Sequence, residues 1–278
     1  MQSASYDAVI FHSYPMRDPI TDGQTLYPER VESNLDRTRG RLLALQTELL
    51  NAHKNPDAIW ITEWNGDVGG DKWSRQSMGA AMPMFTAMQL AEYMQAGVQY
   101  ATWWGQGKSN ACLKYNYDWS GEAAYSWWDC GGVFLTYTAP LAAETKVGLA
   151  PGNVTPAARA FQLLSESGFV AEGEHMVRVV SDLDNAPWLA AYASTHGSSY
   201  ALILMNRDRD KSHEVPVELA GKSSGRSVGQ WTYGRAQYDR SRYGDWSAGP
   251  VASTHGSWTH SFTATLPAWS VNIFVFGS

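Results

Sequence analysis

Glu63 is a lone carboxylate at the tip of an otherwise apolar segment, residues 58–65 (AIWITEWN). A strand reading Ala-Ile-Trp-Ile is expected to be buried on both faces, as in a parallel sheet covered by helices, and such sheets gather their chemistry at the carboxyl ends of strands. Glu63 therefore has a catalytic address. Flanked by Thr62, Trp64 and Asn65, it could act as a general base, a metal ligand or a covalent nucleophile. The non-catalytic alternative is a strand-end Glu satisfied by a neighbouring cation or a helix N-terminus. Two more segments end in polar or aromatic residues: 7–15 (DAVIFHSYP), with His12 and Tyr14, and 99–105 (QYATWWG), with Trp103 and Trp104.

Positioning these residues requires regular elements between them. After the first strand comes a loop with Pro15, Pro19, Gly23 and Pro28, then a helix of about 20 residues with an apolar stripe of Leu35, Leu42, Leu45 and Leu49, ended by residues 51–56. The second strand leads into a Gly-rich loop (65–72). A helix from about Ser77 follows, with Met78, Met82, Phe85, Met88, Ala91 and Met94 at helical spacing and Gly97 placed to stop it. A long Trp-, Tyr- and Gly-rich insertion (108–153) follows the third strand, and a loop of that length is usually functional. Thr155-Pro156 supplies an N-cap and a first-turn proline for a helix through Phe161 and Leu164, closed by Gly168. Three strand-then-helix units predict a parallel sheet with right-handed crossovers. From about Val170 the texture changes to short strands at 175–183, 188–194, 199–207, 213–219, 230–239 and 260–276, which predict an antiparallel β-sandwich.

Composition narrows the function. With 278 residues, 44% hydrophobic and 17% charged, the chain is a folded globular protein of one large or two modest domains. A net charge of −6, a pI near 5.6 and no basic run argue against nucleic acid as a partner. No apolar stretch is long enough to span a membrane, so the chain is expected to be soluble, with secretion or a periplasmic location open if a targeting segment precedes it. Thirteen Trp and fourteen Tyr suit stacking on sugar rings as well as core filling. Cys112 and Cys130 form either a disulfide or two free thiols, and fit no zinc pattern. Neither a metal nor a cofactor is expected.

The segment Ile61-Thr62-Glu63-Trp64-Asn65 resembles the end of the seventh strand in retaining glycoside hydrolases of the large (β/α)8-barrel clan of endoglucanases, xylanases, β-xylosidases and α-L-arabinofuranosidases. Residues 7–15 are similar to the clan's sixth strand and Ala101-Thr102-Trp103-Trp104 to its eighth. The helix from Thr155-Pro156 to Gly168 resembles its last barrel helix. Leu266-Pro267-Ala268-Trp269-Ser270-Val271 resembles the closing strand of an appended β-sandwich. The resemblance implies a partial (β/α) TIM-type barrel over residues 1–170 and a β-sandwich over 171–278. It also implies Glu63 as nucleophile, His12 and Tyr14 orienting it, Trp64 and Asn65 at the substrate, and Trp103 or Trp104 as the floor under the sugar.

The clan's acid/base stands at the end of the fourth strand, usually in an Asn-Glu pair, and this chain has no Asn-Glu dipeptide. Counterparts of strands one to five are missing too, which fits a truncated catalytic domain, a partial barrel that dimerises over its open edge, or a diverged protein with another acid. A homo-oligomer is the expectation. Asp18, Glu29, Asp67, Asp71, Asp118, Glu122 and Asp129 are the candidate substitutes. Two rivals stand beside a glycosidase acting on β-linked plant polysaccharide or its oligosaccharides: a non-catalytic carbohydrate-binding or assembly protein, and an esterase using a Ser of the long insertion or Ser223 in the Gly-x-Ser-x-Gly match at 221–225. The phosphate-loop fragment Gly107-Lys108-Ser109 lacks its first glycine and its helix.

Overall fold

The computed structural model describes residues 6–14, 28–65, 81–104, 107–108, 134–135, 154–171, 173–177, 179, 186–220, 224–225, 228–242, 247–256, 258–259 and 261–276. The chain divides into two compact units, Met1–Ala157 and Ala158–Ser278.

In the first unit, β1 (Val9–Ser13), β2 (Ile59–Trp64) and β3 (Tyr100–Trp103) form a parallel sheet in that order. The crossovers carry α1 (Pro28–Asn51) and α2 (Ala81–Gln95). The helices bury the residues that the spacing selected: Leu42 and Leu49 on α1, and Met82, Phe85, Met88 and Ala91 on α2. Leu45 and Met94 are half-buried. Pro83 is tolerated because it falls in the first turn of α2, where its missing N–H has no intrahelical partner to lose. A bidentate pair joins the helices: Arg39 Nε donates to Glu92 Oε2 at 2.7 Å and its terminal nitrogen to Oε1 at 2.6 Å. Gly97 ends the second crossover with φ +70°, and a Cβ there would come within 3.0 Å of the Asp57 carboxylate, so both backbone angle and space call for glycine. Two short strands, β4 (Gly107–Lys108) and β5 (Phe134–Leu135), pair in parallel beyond β3.

The second strand is not buried on both faces: Ile59 and Ile61 are fully buried, but Trp60 between them is 41% exposed. Its cross-strand partners Ile10 and Tyr100 are exposed as well. No barrel closes among the described residues, so the sheet buries only one of its faces. Cys112, Cys130 and nearly all of the 108–153 insertion lie outside the described residues.

The second unit starts near α3 (Pro156–Glu166), capped by buried Thr155 and ended by Gly168 at φ +74°. Its strands are β6 (His175–Val177), β7 (Leu189–His196), β8 (Ser199–Asn206), β9 (His213–Glu218), β10 (Ser224–Gly225), β11 (Val228–Gly234), β12 (Val251–His255), β13 (Trp258–Thr259), β14 (Ser261–Leu266) and β15 (Ser270–Phe276). Six form an antiparallel sheet in the order β12-β11-β15-β8-β7-β6, while β9 pairs with β14 and β10 with β13. Val217, Ala264 and Leu266 of the β9–β14 ribbon share one apolar cluster with Leu202, Leu204, Phe274 and Phe276 of the sheet.

Among the described residues the strand expected at 175–183 is confined to β6, β12 lies where no strand was expected, and two further boundaries differ. Residues 230–239 are not one strand, because α4 (Arg235–Arg242) begins directly after β11. The Gln237 side chain accepts from Gly234 N at 2.9 Å, the reciprocal half of a capping box, and Arg235 lies 3.6 Å from Asp239 one turn on. Gly234 also lies so close to β15 that a Cβ would meet that of Ser270 at 2.7 Å. Residues 260–276 break into β14 and β15 at Trp269, whose φ of +46° turns the chain.

Candidate active site at the carboxyl end of the parallel strands

A β-bulge in β2 decides where Glu63 points. Phe11 pairs with Ile61, yet the next residue of β1, His12, pairs with Glu63; on the other side Ile61 pairs with Ala101, and Trp64 with Trp103. The central strand therefore carries one more residue than either neighbour at Thr62–Glu63. Strict alternation would have put Glu63 on the face of buried Ile59 and Ile61. The extra residue swaps the parity, so that Trp64 takes the buried position and Glu63 joins His12, with 29% of its side chain exposed.

Two side chains from the end of β1 converge on the carboxylate. Tyr14 donates its phenol O–H to Glu63 Oε2 at 2.9 Å. His12 Nδ1 lies 3.3 Å from the same oxygen, while its Nε2 is 3.1 Å from Thr62 Oγ1. Burial, then the hydrogen bond to Glu63, then the charge of Glu63 push the Tyr14 phenol well above its ordinary range, so it stays a donor at any ordinary pH. Both contacts of Glu63 fall on Oε2 and leave Oε1 open among the described residues.

The remaining expected site residues separate into a packed group and an exposed one. Trp64 is fully enclosed, edge-on to Tyr93 at 5.3 Å and to Trp103 at 4.7 Å, so its ring offers no face to a ligand. Trp103 is buried with it. Asn65 is 3% exposed and donates Nδ2 to the Trp104 carbonyl at 3.3 Å and its backbone N–H to the Ser13 carbonyl at 3.3 Å. These three hold the strand ends together. Trp104, tied by its N–H to the Trp64 carbonyl at 2.9 Å, is 48% exposed. The sequence names Thr62 as a neighbour of Glu63 without giving it a role; the polar Thr-Glu pair at the end of an apolar strand is the available signal.

Of the candidate second acids, Asp18, Asp67, Asp71, Asp118, Glu122 and Asp129 lie outside the described residues, and Glu29 falls in the first turn of α1. The other carboxylates of this unit whose side chains are described are Asp7 and Asp57 ahead of the strands, Glu48 on α1, and Glu92 held by Arg39. None of these four follows the carboxyl end of a sheet strand. No group of three His, Cys, Asp or Glu side chains among the described residues could hold a metal. Ser223 also lies outside them, and the described chain after β10 is strand β11, where a nucleophile elbow needs a helix. No described helix is long and apolar enough to cross a membrane.

No protein-family model and no curated protein matches this chain by sequence. Its fold does have counterparts among solved glycoside hydrolases. An arabinofuranosidase structure aligns with 98% of this chain and 53% of its own, at a TM-score of 0.59 and 15% identity. The α-L-arabinofuranosidase from Thermotoga maritima, in complex with arabinose, aligns with 97% of this chain and 52% of its own, at 0.55 and 14%. CelM2, a bifunctional glucanase-xylanase from a metagenome library, aligns with 85% of this chain and 34% of its own, at 0.54 and 14%. The chain thus spans about a third to a half of the length of these structures. The relationship they support is one of fold, shared with part of a glycoside hydrolase.

Proposed function

We propose that this chain is a portion of a retaining glycoside hydrolase acting on β-linked plant polysaccharide or its oligosaccharides, with Glu63 as nucleophile. In this reading residues 1–170 are part of a (β/α) barrel and 171–278 a β-sandwich. The observation that carries it is the Tyr14–Glu63–His12 constellation, built at the carboxyl end of a parallel sheet by a bulge that turns one carboxylate to the open face. Tyr14 donates to Oε2 and His12 lies against the same oxygen, so Oε1 is the oxygen that attacks the anomeric carbon. The bond to the leaving oxygen breaks with its electron pair, and a glycosyl ester forms on Glu63. Water then attacks the same carbon, the ester bond returns its pair to Glu63, and the proton passes to the group that served as acid. That group is a second carboxyl about 5–5.5 Å away in retaining enzymes. Trp104 provides the stacking surface for the sugar, and Trp64, Trp103 and Asn65 hold the strand ends.

Aryl glycosides with a dinitrophenolate leaving group test the assignment, because such a group departs without protonation and isolates the nucleophile from the acid. The panel includes xyloside, glucoside, cellobioside and, since arabinofuranosidases are among the similar structures, arabinofuranoside. Turnover by the wild type and none by Glu63→Ala supports the reading. Turnover that survives in Glu63→Ala removes it. The absence of a described acid at the strand ends favours a second reading, a carbohydrate-binding protein without turnover. Saturable sugar binding with no cleavage of any aryl glycoside would identify that.

A further inference from the structure

We propose that the Thr62 hydroxyl selects the tautomer in which His12 turns a protonated Nδ1 toward Glu63, which makes Thr62 a positioning residue of the site. The kinetic consequence rests on the glycosidase reading; the tautomer itself does not. His12 Nδ1 lies 3.3 Å from Glu63 Oε2, a charge-pair distance rather than an aligned hydrogen bond, and a lone pair at Nδ1 would face the carboxylate, so Nδ1 has to carry a proton for the approach to be attractive. In the neutral ring Nε2 then bears a lone pair and needs a donor. The Thr62 O–H, 3.1 Å away, is that donor, and among the described residues no other polar group meets Nε2. If the ring takes a second proton, the same hydroxyl rotates and accepts from Nε2–H.

The bulge accounts for the coincidence. The inserted residue that turns Glu63 toward His12 also brings the hydroxyl of its chain neighbour to the far side of the same ring. Without that hydroxyl the neutral ring is free to take the Nε2–H form, whose Nδ1 lone pair faces the carboxylate. Glu63 Oε2 then keeps Tyr14 as its one donor.

The test reads the His12 ring nitrogens by two-bond 1H–15N correlation, at a pH about two units above the ordinary His value of ~6.5. Wild type and Thr62→Ser are expected to show the Nδ1–H form, and Thr62→Val a shift toward Nε2–H with unchanged far-UV circular dichroism. Wild type in the Nε2–H form overturns the proposal even if Thr62→Val fails to fold. So does an unchanged Nδ1–H form in a folded Thr62→Val. On aryl glycosides, Thr62→Val is expected to lose roughly fivefold to tenfold in kcat with little change in KM, restored by Thr62→Ser. If the wild type turns over none of them, the glycosidase reading fails while the tautomer measurement still decides the role of Thr62.

Discussion

Tyr14 is the residue on which the electrostatics of the site turn. Burial and the neighbouring carboxylate raise its phenol above the ordinary range, so the folded protein holds the proton more tightly than the unfolded chain does. The sign follows: the stability this contributes is complete below the unfolded value of about 10 and is lost as pH climbs above it. Thermal unfolding followed between about pH 8 and 11 should therefore show an alkaline loss of Tm that is smaller in Tyr14→Phe. The same substitution removes one donor from Glu63 and is expected to lower kcat on aryl glycosides roughly tenfold to a hundredfold, the worth of a hydrogen bond to a charged group. In the wild type no fall in kcat/KM below about pH 10 should trace to Tyr14 ionisation.

Among the elements, the α1–α2 pair is joined by the Arg39–Glu92 pair and by Thr38 Oγ1 donating to Gln89 Oε1 at 3.3 Å. Glu92 is 3% exposed and Arg39 38%, so Arg39→Ala takes a bidentate cation from a buried carboxylate. Because Arg39 is partly solvated, the loss should fall near the low end of the range for broken buried pairs, about 3 kcal/mol, read from the midpoint of urea unfolding. The turn between β8 and β9 behaves differently. Burial tends to raise the Asp208 carboxyl, but its bond to His213 at 3.0 Å, those from the Asp210 and Lys211 N–H groups, and the charge of His213 together bring it below the ordinary value. His213 is in turn stacked on Trp188 at 3.8 Å. A lowered carboxyl contributes stability above its unfolded value of about 3.9 and loses it as pH falls further. Asp208→Asn should accordingly be less stable at neutral pH and lose less on acidification, measured as Tm against pH.

For the molecule as a whole the open face of the parallel sheet is the dominant feature. Ile10, Trp60 and Tyr100 stand in register across all three strands, 61%, 41% and 54% exposed, and the two rings lie 6.1 Å apart. An apolar row of this kind, with an unpaired strand at each side among the described residues, favours association. Sedimentation velocity should show a dimer or larger species that Trp60→Lys shifts toward monomer. A wild type that stays monomeric at tens of micromolar contradicts the expectation.

How much of this was legible beforehand differs from element to element. The parallel strands, the burial of Leu42, Leu49, Met82, Phe85 and Met88, and the stops at Gly97 and Gly168 follow from local rules of periodicity and backbone freedom, which act over a few residues. The placement of Glu63 at a strand end was equally local. The cap of α4 is local, Gly234 N to Gln237 three residues on, and what the sequence hid is the fit of Gly234 against β15, a contact remote in sequence, where a Cβ would meet that of Ser270 at 2.7 Å. The fate of the aromatics was hidden for the same reason: Trp64 and Trp104 look alike in sequence, and neighbours from α2 and β3 enclose the first and leave the second open. The sequence by itself determined which carboxylate stands at the strand end and which residue types surround it. Only the tertiary structure decided which way that carboxylate faces, because a bulge is defined by the register of β2 against both neighbouring strands, and register is a property of the sheet rather than of any one segment.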